Sequence, residues 1–141
     1  PAAMGVKLAF PDKDVACVTG EGSIQMNIQE LSTCTQYNTP VKVINLRNNY
    51  LGMVKQWQEL FHQERYSETD LSDNPPFSKL AEAFGIASSE ITDAGEVPQA
   101  LKTMLEHPGP YLLHVRLDHK ANVWPIVPPN TANHKMWEQA R

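Results

Sequence analysis

Short apolar runs alternate with stretches whose apolar residues recur at helical spacing. Residues 14–19 (Asp14-Val15-Ala16-Cys17-Val18-Thr19) form an apolar run that ends at a glycine turn, the pattern of a buried parallel strand. Ser23 is then placed to cap a helix with Ile24, Ile28 and Leu31 on its apolar face, and Asn38-Thr39-Pro40 stops it. A second strand is predicted over 41–46, followed by the polar turn Arg47-Asn48-Asn49 and a helix over 51–61. Residues 62–76 are polar and end in Pro75-Pro76, long enough for a connection that is either mobile or functional. Helical periodicity resumes over 77–84, with Gly85 as its stop. A third strand over 86–91 is weakly marked because Ser88-Ser89 lies at its centre. Val97, Leu101, Met104 and Leu105 mark another amphipathic helix, and residues 111–117 a fourth strand.

Strands alternating with helices imply an α/β fold: a parallel sheet with helices on both faces. Residues 1–120 read as one such domain and 121–141, with Pro125, Pro128 and Pro129, as an irregular tail. The first residues start in mid-helix: Met4, Lys7 and Leu8 keep helical spacing with no capping residue ahead of them. That favours a piece of a longer chain over a natural processed terminus.

Composition narrows the picture. The 141 residues suit one core; 41% are hydrophobic and 20% charged, an ordinary globular balance. A formal charge of −4 argues against non-specific nucleic-acid binding. No apolar run approaches the ~20 residues that span a bilayer, and no signal-peptide pattern is visible. Cys17 and Cys34 lack metal-ligand spacing and read as reduced thiols.

The chemistry lies in the two polar turns, which the fold puts at the carboxyl ends of adjacent strands, where such sheets bind ligands. Gly20-Glu21-Gly22-Ser23 joins a strand to a helix, and its glycines let a backbone approach an anion closely. Alone that is a weak signal. The dinucleotide fingerprint lacks its third glycine, since Gln25 stands there, and the Gly-Lys-Ser/Thr of nucleotide triphosphatases is absent. Glu21 and Asn48 together supply the hard oxygen ligands that Mg²⁺ takes beside a diphosphate.

Gly20-Glu21-Gly22-Ser23 followed by Arg47-Asn48-Asn49 resembles the thiamine-diphosphate signature, a Gly-Asp-Gly with an Asn pair further on. Residues 25–31 and Leu51-Gly52-Met53-Val54-Lys55-Gln56-Trp57-Gln58 are similar to acetolactate synthase catalytic subunits. The likeness is densest over 15–61 and thinnest over 62–76 and in the tail. It implies a thiamine-diphosphate-binding domain whose first strand and glycine-rich loop would precede Pro1. It implies a transferase of branched-chain amino-acid biosynthesis that decarboxylates pyruvate and joins the product to a second pyruvate or to 2-ketobutyrate. Thiamine diphosphate and Mg²⁺ are its cofactors, with FAD held mainly by a middle domain and the activating glutamate by an N-terminal one. By the same resemblance the protein is a homo-oligomer with a small regulatory subunit, cytoplasmic or, in a eukaryote, plastid or mitochondrial. The isolated chain is then expected to be inactive.

Residue by residue, the resemblance makes Glu21 the metal carboxylate and Asn48 the metal amide, with Asn49 ranked behind it and Arg47 where the first Asn is usual. Tyr50 matches a backbone-carbonyl ligand; Gly20, Gly22, Ser23 and Gly52 match cofactor contacts. Met53 and Trp57 match the substrate pocket, although a pair four apart on a helix is, on spacing alone, more often core packing. Glu21 departs from the family's aspartate by one methylene, which predicts weaker metal binding. The five histidines are scattered and receive no role. A related carboligase or decarboxylase, and a non-catalytic ligand-binding or oligomerisation module, are the alternatives.

Overall fold

A computed structural model of the chain describes residues 1–139. Four strands, β1 (Ala16–Gly20), β2 (Lys42–Arg47), β3 (Ala87–Ile91) and β4 (Tyr111–Arg116), form one sheet in the order β1-β2-β4-β3. Every pairing is parallel. The helices are α1 (Ala2–Ala9), α2 (Glu21–Gln25), α3 (Glu30–Gln36), α4 (Gly52–Phe61), α5 (Phe77–Ala83) and α6 (Val97–Glu106).

Successive strand residues point to opposite faces, and both faces are apolar, so the sheet is covered twice. On one side Leu112 and Val43 pack with Leu31, Phe77, Ala81 and Ile86 from the α3 and α5 region. On the other, Leu113, Tyr111 and Ile91 pack with Met104 of α6 and with Ile44. The α/β architecture expected from the sequence is the one observed. Among the described residues no helix is long and apolar enough to cross a membrane.

Local signals explain most boundaries. Pro76 precedes α5, and Gly85 follows it at φ 68°, a left-handed conformation that suits glycine. A capping box leads into α6: the Gly95 amide donates to Asp93 Oδ1 at 2.6 Å, and the Asp93 amide donates to Glu96 Oε2 at 3.0 Å. The weakly marked third strand is real and sits at the sheet's edge, where its serines face fewer packing demands.

Two local expectations are corrected. Ser23 does not cap: α2 begins at Glu21 with Gly20 at its N-cap, and no side chain caps it. The single helix expected from Ser23 onward is two, α2 and α3, separated by turns at 26–29. The apolar spacing of Ile24, Ile28 and Leu31 survives this break because all three still meet the same cluster.

The segment 62–76 is tied down through its backbone. Leu51 N–H donates to Thr69 O at 2.9 Å and Leu71 N–H to Asn49 O at 2.8 Å, around a bridge between Tyr50 and Asp70. The tail folds against α4. The buried Gln56 amide exchanges two hydrogen bonds with the Val123 backbone, at 2.9 and 3.1 Å, and Asn122 donates to Glu59 at 3.0 Å. Within it, Ile126 and Trp137 pair their backbones and Asn133–Lys135 make one 3₁₀ turn. Residues 140 and 141, the last of the segment expected to be irregular, lie outside the described residues.

Candidate functional site

The parallel register sets Gly20 beside Leu46, which brings Glu21 next to Arg47 at the carboxyl end of the sheet. The two turns singled out in the sequence therefore meet. Glu21 is not an exposed turn carboxylate but the first residue of α2, 1% exposed. Neither of its oxygens has a hydrogen-bond partner among the described residues. Burial pushes its carboxyl up from the usual range. The Arg47 charge and the nearby amides of Asn49, Tyr50 and Asn48 pull the other way, and burial prevails.

Arg47 closes the second turn. Its Nε donates to Asn49 Oδ1 at 2.6 Å and lies 3.4 Å from Glu21 Oε2, an ion pair without a hydrogen bond. Asn49 adopts φ 65°, which asparagine tolerates, and its side-chain oxygen is thereby engaged. Asn48 Oδ1 accepts the Tyr50 amide at 3.1 Å and keeps a lone pair for another partner. Gly22 and Gly52 are places of close approach: a Cβ on Gly22 would meet Leu51 Cδ2 at 2.7 Å, and one on Gly52 would meet Asn48 Nδ2 at 3.0 Å. A Cβ on Gly20 would meet nothing within 4 Å, so that backbone faces open space. Ser23 lines a narrow cleft with Cys17, Thr19, Asn27 and Cys34.

Met53 and Trp57 sit on α4 and are 49% and 38% exposed, so they are not core residues. Trp57 stands edge-on to Phe61 at 5.4 Å and lines an open cleft with Val54, Gln58, His62 and Arg65. A cavity of about 490 Å³ adjoins the site at Tyr50 without including Glu21 or Asn48. In it Lys55 lies between the Tyr50 and Tyr66 rings, 5.4 and 5.5 Å away, and pairs with Glu59 at 3.2 Å.

Beneath the turns lies a polar pair that the sequence reading passed over. Asn45 Nδ2 and His114 Nδ1 are 3.1 Å apart, both side chains essentially inaccessible, and the imidazole stacks on Phe77 at 5.3 Å. Asn45 Oδ1 and His114 Nε2 have no partner among the described residues. Burial holds His114 below the ordinary histidine range, that is, neutral. The available signal was a polar residue interrupting an otherwise apolar strand, once in Ile44-Asn45-Leu46 and once in Leu113-His114-Val115.

Residues 1–115 match the family described as thiamine pyrophosphate enzyme, C-terminal TPP binding domain. The chain belongs to that family. The chain is 53% identical over 139 residues to the acetolactate synthase isozyme 2 large subunit of Escherichia coli, covering 99% of this chain and 25% of that protein. It is 43% identical over 137 residues to the acetolactate synthase large subunit of Pyropia yezoensis, covering 96% and 23%. A solved structure, the thiamine diphosphate-dependent 4-hydroxybenzoylformate decarboxylase of Rhodococcus jostii RHA1, superposes with TM-score 0.77 at 30% identity, over 84% of this chain and 22% of that one. The chain thus spans about a quarter of the length of these curated relatives.

The fit of the TPP-binding domain to its cofactor divides in two. The open backbone at Gly20 and the orphaned, buried carboxylate suit a ligand that brings in positive charge or fresh donors. Carboxylate, amide and carbonyl oxygens also suit a hard divalent cation by type. Their charge balance does not, because the one carboxylate already faces a guanidinium. Among the described residues no group of three or more His, Cys, Asp or Glu could hold a metal ion.

Proposed function

We propose that this chain is the cofactor-binding part of an acetolactate synthase large subunit. The observation that carries the reading is the meeting of Gly20-Glu21-Gly22-Ser23 and Arg47-Asn48-Asn49 at the ends of adjacent parallel strands, within a TPP-binding domain. When bound, thiamine diphosphate supplies the carbanion chemistry for decarboxylation and carbon–carbon joining, and the protein supplies position and electrostatics. In this reading Gly20, Gly22 and Ser23 shape the turn that receives the diphosphate, and Gly52 keeps the Asn48 turn tight against α4.

Glu21, Asn48 and the Tyr50 carbonyl are the residues that would hold Mg²⁺, more weakly than an aspartate site because of the longer carboxylate and the facing Arg47. Met53 and Trp57, exposed on α4, would bound the pocket for pyruvate and 2-ketobutyrate. FAD, a homo-oligomeric assembly and a small regulatory subunit belong to the whole protein in this proposal, as does a cytoplasmic or organellar setting. The chain alone is expected to make no acetolactate. The test is to supply pyruvate, thiamine diphosphate, Mg²⁺ and FAD and assay 2-acetolactate, first with a full-length protein carrying this segment and then with the 141-residue chain. Product from the longer protein only is the expected result; product from the chain alone, or from neither, defeats the proposal.

One observation favours a second reading. The solved neighbour is named as a decarboxylase, so a related carboligase or decarboxylase has structural support. Profiling 2-keto acids with the full-length protein separates the two: release of an aldehyde without carbon–carbon joining selects the decarboxylase.

A further inference from the structure

We propose that Arg47 is the resident cation of this site, and that it binds the diphosphate directly and weakens the requirement for a divalent metal. The proposal rests on the reading of the site as a diphosphate site and adds a residue that the family likeness does not assign. Four observations carry it. Arg47 ends β2 at the carboxyl edge of the sheet, next to the glycine turn by register. Its Nε is engaged by Asn49 Oδ1 and faces Glu21 Oε2, which fixes the planar group in place. Its two terminal amino groups have no hydrogen-bond partner among the described residues, so four N–H donors are spare. The side chain as a whole remains 17% exposed, so the guanidinium is not sealed off by the fold.

Arginine is suited to this task. Its charge is permanent, its fork matches two phosphate oxygens, and its weak hydration lowers the cost of partial burial. The pairing with Glu21 also changes the carboxylate. A buried carboxylate that meets a metal must bring net negative charge to it, and here that charge is offset by a guanidinium 3.4 Å away. A dication placed at Glu21 would meet the repulsion of Arg47 as well as the attraction of the carboxylate. The same arrangement that weakens a metal site therefore builds an anion site.

The test uses inorganic pyrophosphate as the probe, titrated calorimetrically into a full-length protein carrying this segment, in EDTA and again in excess Mg²⁺. Affinities within about threefold of each other in the two buffers are expected for the native chain. Arg47→Asn should lose about tenfold or more in EDTA and recover much of that in Mg²⁺, because the metal can then take the vacated place. Arg47→Lys keeps the charge and should lose less than Arg47→Asn. Glu21→Gln removes the offsetting charge and should bind more tightly in EDTA. Circular dichroism confirms that each variant is folded. Binding by the native chain only in Mg²⁺, no binding in either buffer, or an unchanged EDTA affinity in Arg47→Asn overturns the proposal. Repeating the titration with thiamine diphosphate keeps the two readings apart. Metal-free pyrophosphate binding with no gain from the thiamine moiety would sink the cofactor assignment and leave Arg47 standing.

Discussion

Strand β2 has a cation at each end, Lys42 and Arg47, and their surroundings are opposite. Lys42 is 3% exposed, and its ammonium donates to two backbone carbonyls, those of His107 and of Gly109, the latter at 2.7 Å. It pins the turn before β4 to the sheet, and the cost of burial shows as a lowered ammonium pKa. At the other end Arg47 faces a carboxylate without hydrogen-bonding it, and the polar groups below, Asn45 and His114, each retain an unpaired atom. A buried ammonium that donates to two backbone carbonyls ties two segments of the fold together. The unpartnered atoms of Glu21, Asn45 and His114 lie toward the carboxyl end of the sheet, where parallel α/β folds bind ligands.

The largest effect should come from the satisfied end. Lys42→Met leaves the carbonyls of His107 and Gly109 without their donor and is expected to cost about 2–4 kcal/mol in urea denaturation. A cost below about 0.5 kcal/mol would show that water serves those carbonyls equally well and would remove half of the contrast.

Next comes the pH dependence of the site end. His114 is held neutral by burial, so its native pKa lies below the unfolded value of 6.5. On falling through 6.5 the unfolded chain takes up a proton that the native state refuses, and stability drops; above that value the group is neutral in both states and contributes no slope. His114→Gln should therefore flatten the stability curve between about pH 7 and pH 5, by at most about 1.4 kcal/mol per pH unit. Parallel curves for the two proteins would place the titration elsewhere.

The smallest effect is expected from deleting the site's own ion pair. Replacing both partners, Glu21→Gln with Arg47→Met, should change stability by no more than about 1 kcal/mol in either direction, since a buried pair lacking good hydrogen bonds returns little of its desolvation cost. Destabilisation as large as that of Lys42→Met would mean that both ends of β2 serve the fold alike.

The sequence was informative where one segment determines its own state. The apolar runs gave β1, β2 and β4, helical periodicity gave α5 and α6, and strand–helix alternation gave the parallel sheet. The two turns of the candidate site could be picked out because each is a short polar interruption beside an apolar run. What eluded it depends on neighbours far along the chain. Glu21 is buried because β1 and β2 align Gly20 with Leu46, which no local spacing reveals. Ser23 has the chemistry of a cap, yet the glycine turn starts the helix two residues earlier. Segment 62–76 reads from the sequence only as a long connection, mobile or functional, because its anchors at Asn49 and Leu51 are backbone groups, invisible to side-chain patterning. Asn45 and His114 meet only through the pairing of β2 with β4.

The strand order has a further consequence, for the chain as it emerges during synthesis. β4 comes last in sequence, yet it lies between β2 and β3 and pairs with both. Until Tyr111–Arg116 has left the ribosome, β2 offers a bare edge and β3 has no partner strand among the described residues. Sheet completion is thus a late, long-range event, and the interval before it is when a nascent chain of this kind is most exposed to pairing with a stranger.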